Sequence, residues 1–88
     1  SGLDKLSREL SEAQKALGSL DGNLATVKFN PHDSASIEEA IQTMEAAITD
    51  RIRPYSNNVL VRKLVGPMKA KYRQAILDKA EELRLQSE

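Results

Sequence analysis

The stretch that decides the fold is residues 35–52, ASIEEAIQTMEAAITDRI. Its apolar side chains recur at intervals of three and four, between mostly polar positions: Ile37, Ile41, Met44, Ile48 and Ile52. This spacing predicts an amphipathic helix with one apolar stripe. A single helix cannot bury such a stripe alone, so the neighbouring segments must supply the other walls of the core. We expect Ile41, Met44 and Ile48 to be nearly fully buried and Ile76 to pack on them.

The ends of this central helix are marked by capping residues and a proline. Ser36 with Glu39 matches a capping box. Asp33 is an equally suitable N-cap, because an acid there also meets the positive end of the helix dipole. At the other end, Pro54 disfavours helical geometry at Arg53. The helix is therefore predicted to end there, with either Asp33 or Ser36 as its cap.

A first helix is predicted at about residues 3–20, with Gly22 as its C-terminal cap. Its apolar residues follow the 3-4 spacing of a coiled-coil seam, and we call them the apolar row: Leu3, Leu6, Leu10, Ala13, Leu17 and Leu20. Two interpretations stay open for this row. It packs inside its own domain, or it forms the seam of a homodimer, because an exposed apolar row would be a liability.

Residues 24–29, LATVKF, alternate between apolar and polar side chains and predict a short extended connector. No convincing second strand is available to pair with it within one chain, so it lies along the helices or pairs with its copy in another subunit. Asn30 and Pro31 then break the chain.

Residues 59–65, VLVRKLV, suit either a strand or a helix, and we favour a short helix capped by Asn57 or Asn58. Gly66 and Pro67 predict an end or a kink after it. Pro67 suits the first turn of a helix, so a last helix is expected at about residues 67–85.

The composition predicts one small helical domain. The chain has 88 residues, 40% of them hydrophobic and 30% charged, with no cysteine and no run long enough to span a membrane. We predict a single all-α domain, residues 1–88, with three main helices and one short helix. The absence of cysteine fits a reducing, cytoplasmic location. Ser1 and Gly2 are compatible with a cloning remnant, in which case the native start is expected further upstream.

The residues for catalysis or metal binding are sparse. His32 is the one histidine of the sequence, and a zinc site needs three or four protein ligands. Glu38 and Glu45 share a polar helix face, where water keeps carboxylates ionised. The four glycines are scattered and form no phosphate-binding loop. We therefore predict no enzyme activity, no cofactor and no bound metal.

The charges are unevenly distributed. Residues 1–50 contain nine acidic and four basic residues, whereas residues 51–77 contain seven basic residues and no acid. Four of these seven form a candidate surface for an anion or an acidic protein: Arg62, Lys63, Lys69 and Arg73. We favour pairing with the protein's own acidic half. The alternative, a loose helix-turn-helix that contacts nucleic-acid phosphates, is weaker because few base-reading side chains accompany it.

Several segments carry a family resemblance: the leucine-rich first helix, the Leu20-Asp21-Gly22 end, the Phe29-Asn30-Pro31 break and the stretch KYRQAI at residues 71–76. In these segments the chain resembles small uncharacterised bacterial proteins that are associated with prophages and mobile elements. The resemblance transfers no functional residue. We predict a non-catalytic, self-associating protein–protein interaction module, with a nucleic-acid-binding protein of a mobile element as the alternative.

Overall fold

Over the residues that the structure describes, the chain folds into three α-helices. The computed structural model describes residues 2–21 and 27–87, and for residues 19–21 the backbone alone. The helices are α1 (Gly2–Asp21), α2 (Ser34–Ile52) and α3 (Val59–Gln86), and a 3-10 turn at Arg53–Tyr55 follows α2. The described ranges contain no β-strand. The predicted all-α fold is confirmed.

The apolar stripe of α2 forms the main core. Ile41, Met44 and Ile48 are the largest fully buried side chains, as the sequence predicts. Ile76 of α3 packs against them, which confirms the predicted partner. Further half-buried side chains complete this cluster. They come from the segment before α2, from α2 itself and from α3: Val27, Phe29, Ala47, Ile52, Met68 and Tyr72.

The structure decides between the two candidate caps of α2. Asp33 has extended backbone geometry, and its Oδ1 accepts hydrogen bonds from the backbone N of Ala35 at 2.9 Å and of Ser36 at 3.4 Å. The Ser36 hydroxyl instead accepts from the backbone N of Asn30 at 2.8 Å. Asp33 is therefore the N-cap, and Ser36 closes the preceding turn. The predicted end before Pro54 is confirmed, because α2 ends at Ile52, but Arg53 itself keeps helical backbone angles (φ −52°, ψ −42°) as the first residue of the 3-10 turn.

Helix α3 differs from the prediction at Gly66-Pro67. The helix does not end there, and the expected short helix and last helix are one continuous element with Pro67 inside it. An interior proline removes one backbone hydrogen bond and costs about 3 kcal/mol. Apolar packing before and after Pro67 offsets this cost, since Val61 belongs to one buried cluster and Ala80 to the other. Residues 59–65 are thus helical rather than a strand.

A second, smaller cluster attaches α1 to the domain. It is formed by Ala13 and Ala16 of α1 with Val61 of α3, and Ile52, Tyr55 and Leu60 pack against it. The molecule is elongated, measuring 59 × 18 × 18 Å with a radius of gyration of 15.8 Å. A compact domain of this length would have a radius of gyration of about 12 Å. Much of each helix therefore remains at the surface.

Part of the predicted connector lies outside the described residues. This applies to residues 24–26 of the proposed extended segment and to Gly22 as the cap of the first helix. Residues 27–29 belong to no helix or strand. Val27 and Phe29 pack against the main core.

Candidate interaction surface

Helix α1 contacts the rest of the protein through alanines and leaves leucines in solvent. Ala13 is 6% exposed and Ala16 is 1% exposed. The exposed fractions in the rest of the apolar row are far larger: Leu3 78%, Leu6 46%, Leu10 50% and Leu17 40%. The side chain of Leu20 lies outside the described part of the chain. Most of the described row is thus available to another molecule.

The exposed leucines lie beside a stripe without charge. Each residue of an α-helix turns the chain by about 100°. This rotation places four exposed, uncharged residues along the outer side of the row: Ser7, Ser11, Gln14 and Gly18. The same rotation places the charged residues of this stretch on the remaining surface of α1: Asp4, Lys5, Arg8, Glu9, Glu12 and Lys15. The result is a broad uncharged face that runs for more than four turns, and this could have been read from the sequence.

A groove between α1 and α3 continues this face at the C-terminal end of the row. It has a volume of about 550 Å³. Its lining is mainly apolar and comes from both helices: Gln14, Leu17, Gly18, Leu64, Pro67, Met68, Lys71 and Tyr72. We call it the α1–α3 groove. The sequence did not indicate it, because the lining residues are about 50 positions apart and meet only in the folded chain.

Asn58 fixes α1 against the start of α3. It is 3% exposed, and among the described residues it is the one polar side chain that is buried. Its Oδ1 accepts a hydrogen bond from the backbone N of Val61 at 3.1 Å, so Asn58 rather than Asn57 caps α3. Its Nδ2 donates to the Glu9 carbonyl at 2.9 Å and to Glu12 Oε1 at 3.2 Å. These bonds specify how α1 is placed, and therefore where its leucines point. The sequence predicted Asn57 or Asn58 as the cap of α3, but it did not predict the contacts of Asn58 with α1.

Two of the four predicted basic residues contact α2. Lys69 Nζ donates to Thr49 Oγ1 at 3.0 Å. Arg73 forms an ion pair with Glu38 at 3.6 Å in which both side chains are about half exposed. Exposed pairs of this kind contribute about 0–1 kcal/mol.

The other two basic residues lie apart from this contact with α2. Arg62 Nη1 donates to the backbone carbonyl of Ser56 at 3.0 Å. Lys63 is exposed and is rotated by about 100° around the helix from Arg62. The structure therefore groups Arg62, Lys69 and Arg73 on one side of α3 and leaves Lys63 outside the group.

The described residues contain no cluster of potential metal ligands. No three histidine or acidic side chains converge among them. His32 Nε2 lies 3.0 Å from Ser87 Oγ, and Arg84 Nη1 donates to the Pro31 carbonyl at 2.9 Å. These contacts attach the turn before α2 to the end of α3. None of the three helices, over their described residues, has the length and apolarity of a membrane span.

Comparison with known proteins places the chain in a bacterial family. The YuaX family matches residues 1–87. The "Uncharacterized protein YuaX" of Escherichia coli (strain K12) is 40% identical over 86 residues, which covers 98% of this chain and 88% of that protein. No solved structure matches the chain. The similarity to a small uncharacterised bacterial protein confirms that part of the resemblance seen in the sequence. The chain belongs to the YuaX family.

Proposed function

We propose that the protein is a non-catalytic interaction module that forms a homodimer through the apolar row of α1. One observation carries the proposal: four leucines of this row are 40–78% exposed on a helix whose position is fixed by buried alanines and Asn58. A row of exposed leucines beside an uncharged stripe is typical of a surface that binds another protein. The cytoplasm is the location proposed for this assembly.

The exposed leucine surface sets the expected affinity. The four exposed fractions add up to about two fully exposed leucines per chain. Burying one leucine contributes roughly 1.5–3 kcal/mol, so two copies gain roughly 6–12 kcal/mol. Loss of translational and rotational freedom costs an estimated 4–15 kcal/mol. At the favourable ends of these ranges the row alone gives a dissociation constant of about 1 micromolar. Over the rest of the ranges a stable dimer requires further buried surface.

Substitution of Leu10 tests the proposal. Leu10 is 50% exposed in the middle of the row, so Leu10→Glu places a charge in the dimer contact without opening a cavity in the monomer. Sedimentation equilibrium at about 100 micromolar should give a dimer mass for the native chain and a monomer mass for Leu10→Glu, since a micromolar dissociation constant is then exceeded many-fold. Leu85→Glu, at a leucine that is 63% exposed on α3, is the matched control and should remain dimeric. A monomeric native chain at that concentration would refute the proposal.

The second candidate function is binding of nucleic acid by a protein of a mobile element. Its support is the seven basic residues without an acid in residues 51–77 and the common side of Arg62, Lys69 and Arg73. The contacts that these three side chains make within the protein favour a structural use instead. An acidic protein partner would use the same groups.

A double variant separates these uses of the basic residues. At about 100 mM salt, a phosphate-binding surface should bind a mixed DNA duplex in the micromolar range and more tightly as salt falls. Lys69→Glu with Arg73→Glu should then abolish binding while helix content is retained. We expect no duplex binding by the native chain and a changed thermal midpoint in the double variant, because Thr49 and Glu38 lose their basic partners. Micromolar binding by the native chain would reverse the order of the two candidates.

A further inference from the structure

We infer that the two α1 helices of the dimer run antiparallel, so that the partner's Leu3 enters the α1–α3 groove. This inference rests on the proposed homodimer and specifies its geometry. The second copy is the occupant of the groove, and each copy fills the groove of the other.

The spacing of the apolar row is the first reason. Leu3 and Leu17 are each seven residues from Leu10, which is about 10 Å along a helix. A twofold axis through Leu10 would therefore place the partner's Leu3 opposite Leu17. Leu17 lines the α1–α3 groove. A parallel pair would instead place Leu3 opposite the partner's Leu3, at the far end of α1 from the groove.

The area that a stable dimer needs is the second reason. At roughly 25 cal/mol per Å², the exposed leucine surface of one chain corresponds to roughly 100–250 Å². A typical specific interface buries about 800 Å² per partner. The mostly apolar groove, lined in part by Leu64, Met68 and Tyr72, offers further surface next to the row. The antiparallel pair buries this surface together with Leu3, which is the most exposed of the four described leucines of the row.

Disulfide trapping tests this orientation, because the native chain has no cysteine. Four single variants are needed: Leu3→Cys, Leu10→Cys, Leu17→Cys and Leu64→Cys. A disulfide forms when the two Cα atoms approach to about 4.4–6.8 Å. Each variant is oxidised alone and in pairwise mixtures at a concentration where the native chain is dimeric, and products are identified by mass. Leu85→Cys is the matched control for random collision, and circular dichroism verifies that each variant is folded.

Leu10→Cys should form a disulfide dimer in either orientation, so it reports on the proposed function alone. Mixtures of Leu3→Cys with Leu17→Cys, and of Leu3→Cys with Leu64→Cys, should give mixed disulfides several-fold faster than any of the three variants links to itself. Rapid self-linking of Leu3→Cys would establish a parallel pair and overturn the inference, while the homodimer stands. A mixed disulfide with Leu17→Cys but not with Leu64→Cys would also overturn it, because Leu3 would then lie outside the groove. Failure of Leu10→Cys to link faster than Leu85→Cys would refute the proposed function itself.

Discussion

Replacement of Asn58 should lower the free energy of unfolding through two effects, because this one side chain caps α3 and also binds α1. In Asn58→Ala, the N-cap of α3 is lost together with two hydrogen bonds to α1. Loss of a cap costs about 1 kcal/mol, and a hydrogen bond contributes about 0.5–1.5 kcal/mol. The Glu9 carbonyl that receives one bond also lies inside α1, where the helix provides it with another donor. We therefore expect a total loss of about 1.5–3 kcal/mol in the free energy of unfolding.

Thermal and urea unfolding measure this loss. One kcal/mol shifts the midpoint of a domain of this size by roughly 4–8 °C, so Asn58→Ala should unfold roughly 6–24 °C below the native chain. Asn57→Ala is the matched control, because Asn57 is the adjacent residue but is exposed. Its effect should stay within about 0.5 kcal/mol.

Asn58→Asp separates the cap from the contact with α1. The new carboxylate still accepts from the backbone N of Val61, but it cannot donate to Glu9 and would lie next to the Glu12 carboxylate in a site that is 3% exposed. Burial of an unpaired charge costs several kcal/mol. Asn58→Asp should therefore be less stable than Asn58→Ala at pH 7, and the difference should shrink in acid, where protonation removes the repulsion. Equal stability of Asn58→Ala and Asn57→Ala would refute the role of Asn58.

The remaining predictions concern the core and the interior proline of α3. Ile48→Ala should cost about 2–5 kcal/mol, because Ile48 is fully buried in the main core; an unchanged thermal midpoint would show that the core is centred elsewhere. Gly66→Ala should stabilise the protein by less than the usual gain of about 1 kcal/mol, since nothing beyond the local helix backbone lies within 4 Å of the added methyl group but Pro67 disfavours helical geometry at a preceding residue that has a Cβ. Pro67→Ala should stabilise it by up to about 3 kcal/mol, because the backbone N regains its hydrogen bond within α3. Loss of stability in both of these variants would show that α3 needs an irregular backbone at this point.

Local sequence patterns were sufficient to predict those features that depend on a single helix. The spacing of Ile41, Met44 and Ile48 predicted the buried stripe of α2, because helical periodicity alone places these side chains on one face. Pro54 predicted the end of α2, which is observed at Ile52, although Arg53 keeps helical backbone angles in the 3-10 turn that follows. The first helix was predicted for the same reason, and it extends from Gly2 to Asp21 as one element.

Gly66-Pro67 shows where local signals fail. The dipeptide predicts an end or a kink, and α3 does not end there because contacts with distant residues stabilise both halves. Val61 packs with Ala13 and Ala16 of α1, and Ile76 packs on the stripe of α2. The free energy of these long-range contacts cannot be derived from a local sequence pattern. The sequence therefore could not show that the contacts outweigh the cost of the proline.

The same distinction applies to the candidate surface. The sequence by itself determined that the leucines of α1 share one face and that charges avoid it, because both facts follow from helical geometry. Only the tertiary structure decided that α1 buries Ala13 and Ala16 and leaves Leu3, Leu10 and Leu17 exposed. The reason is physical: which of two adjacent apolar faces is buried depends on the shape of the rest of the domain. Here Asn58 and Val61 contact the alanine side of α1, so the leucine side remains in solvent.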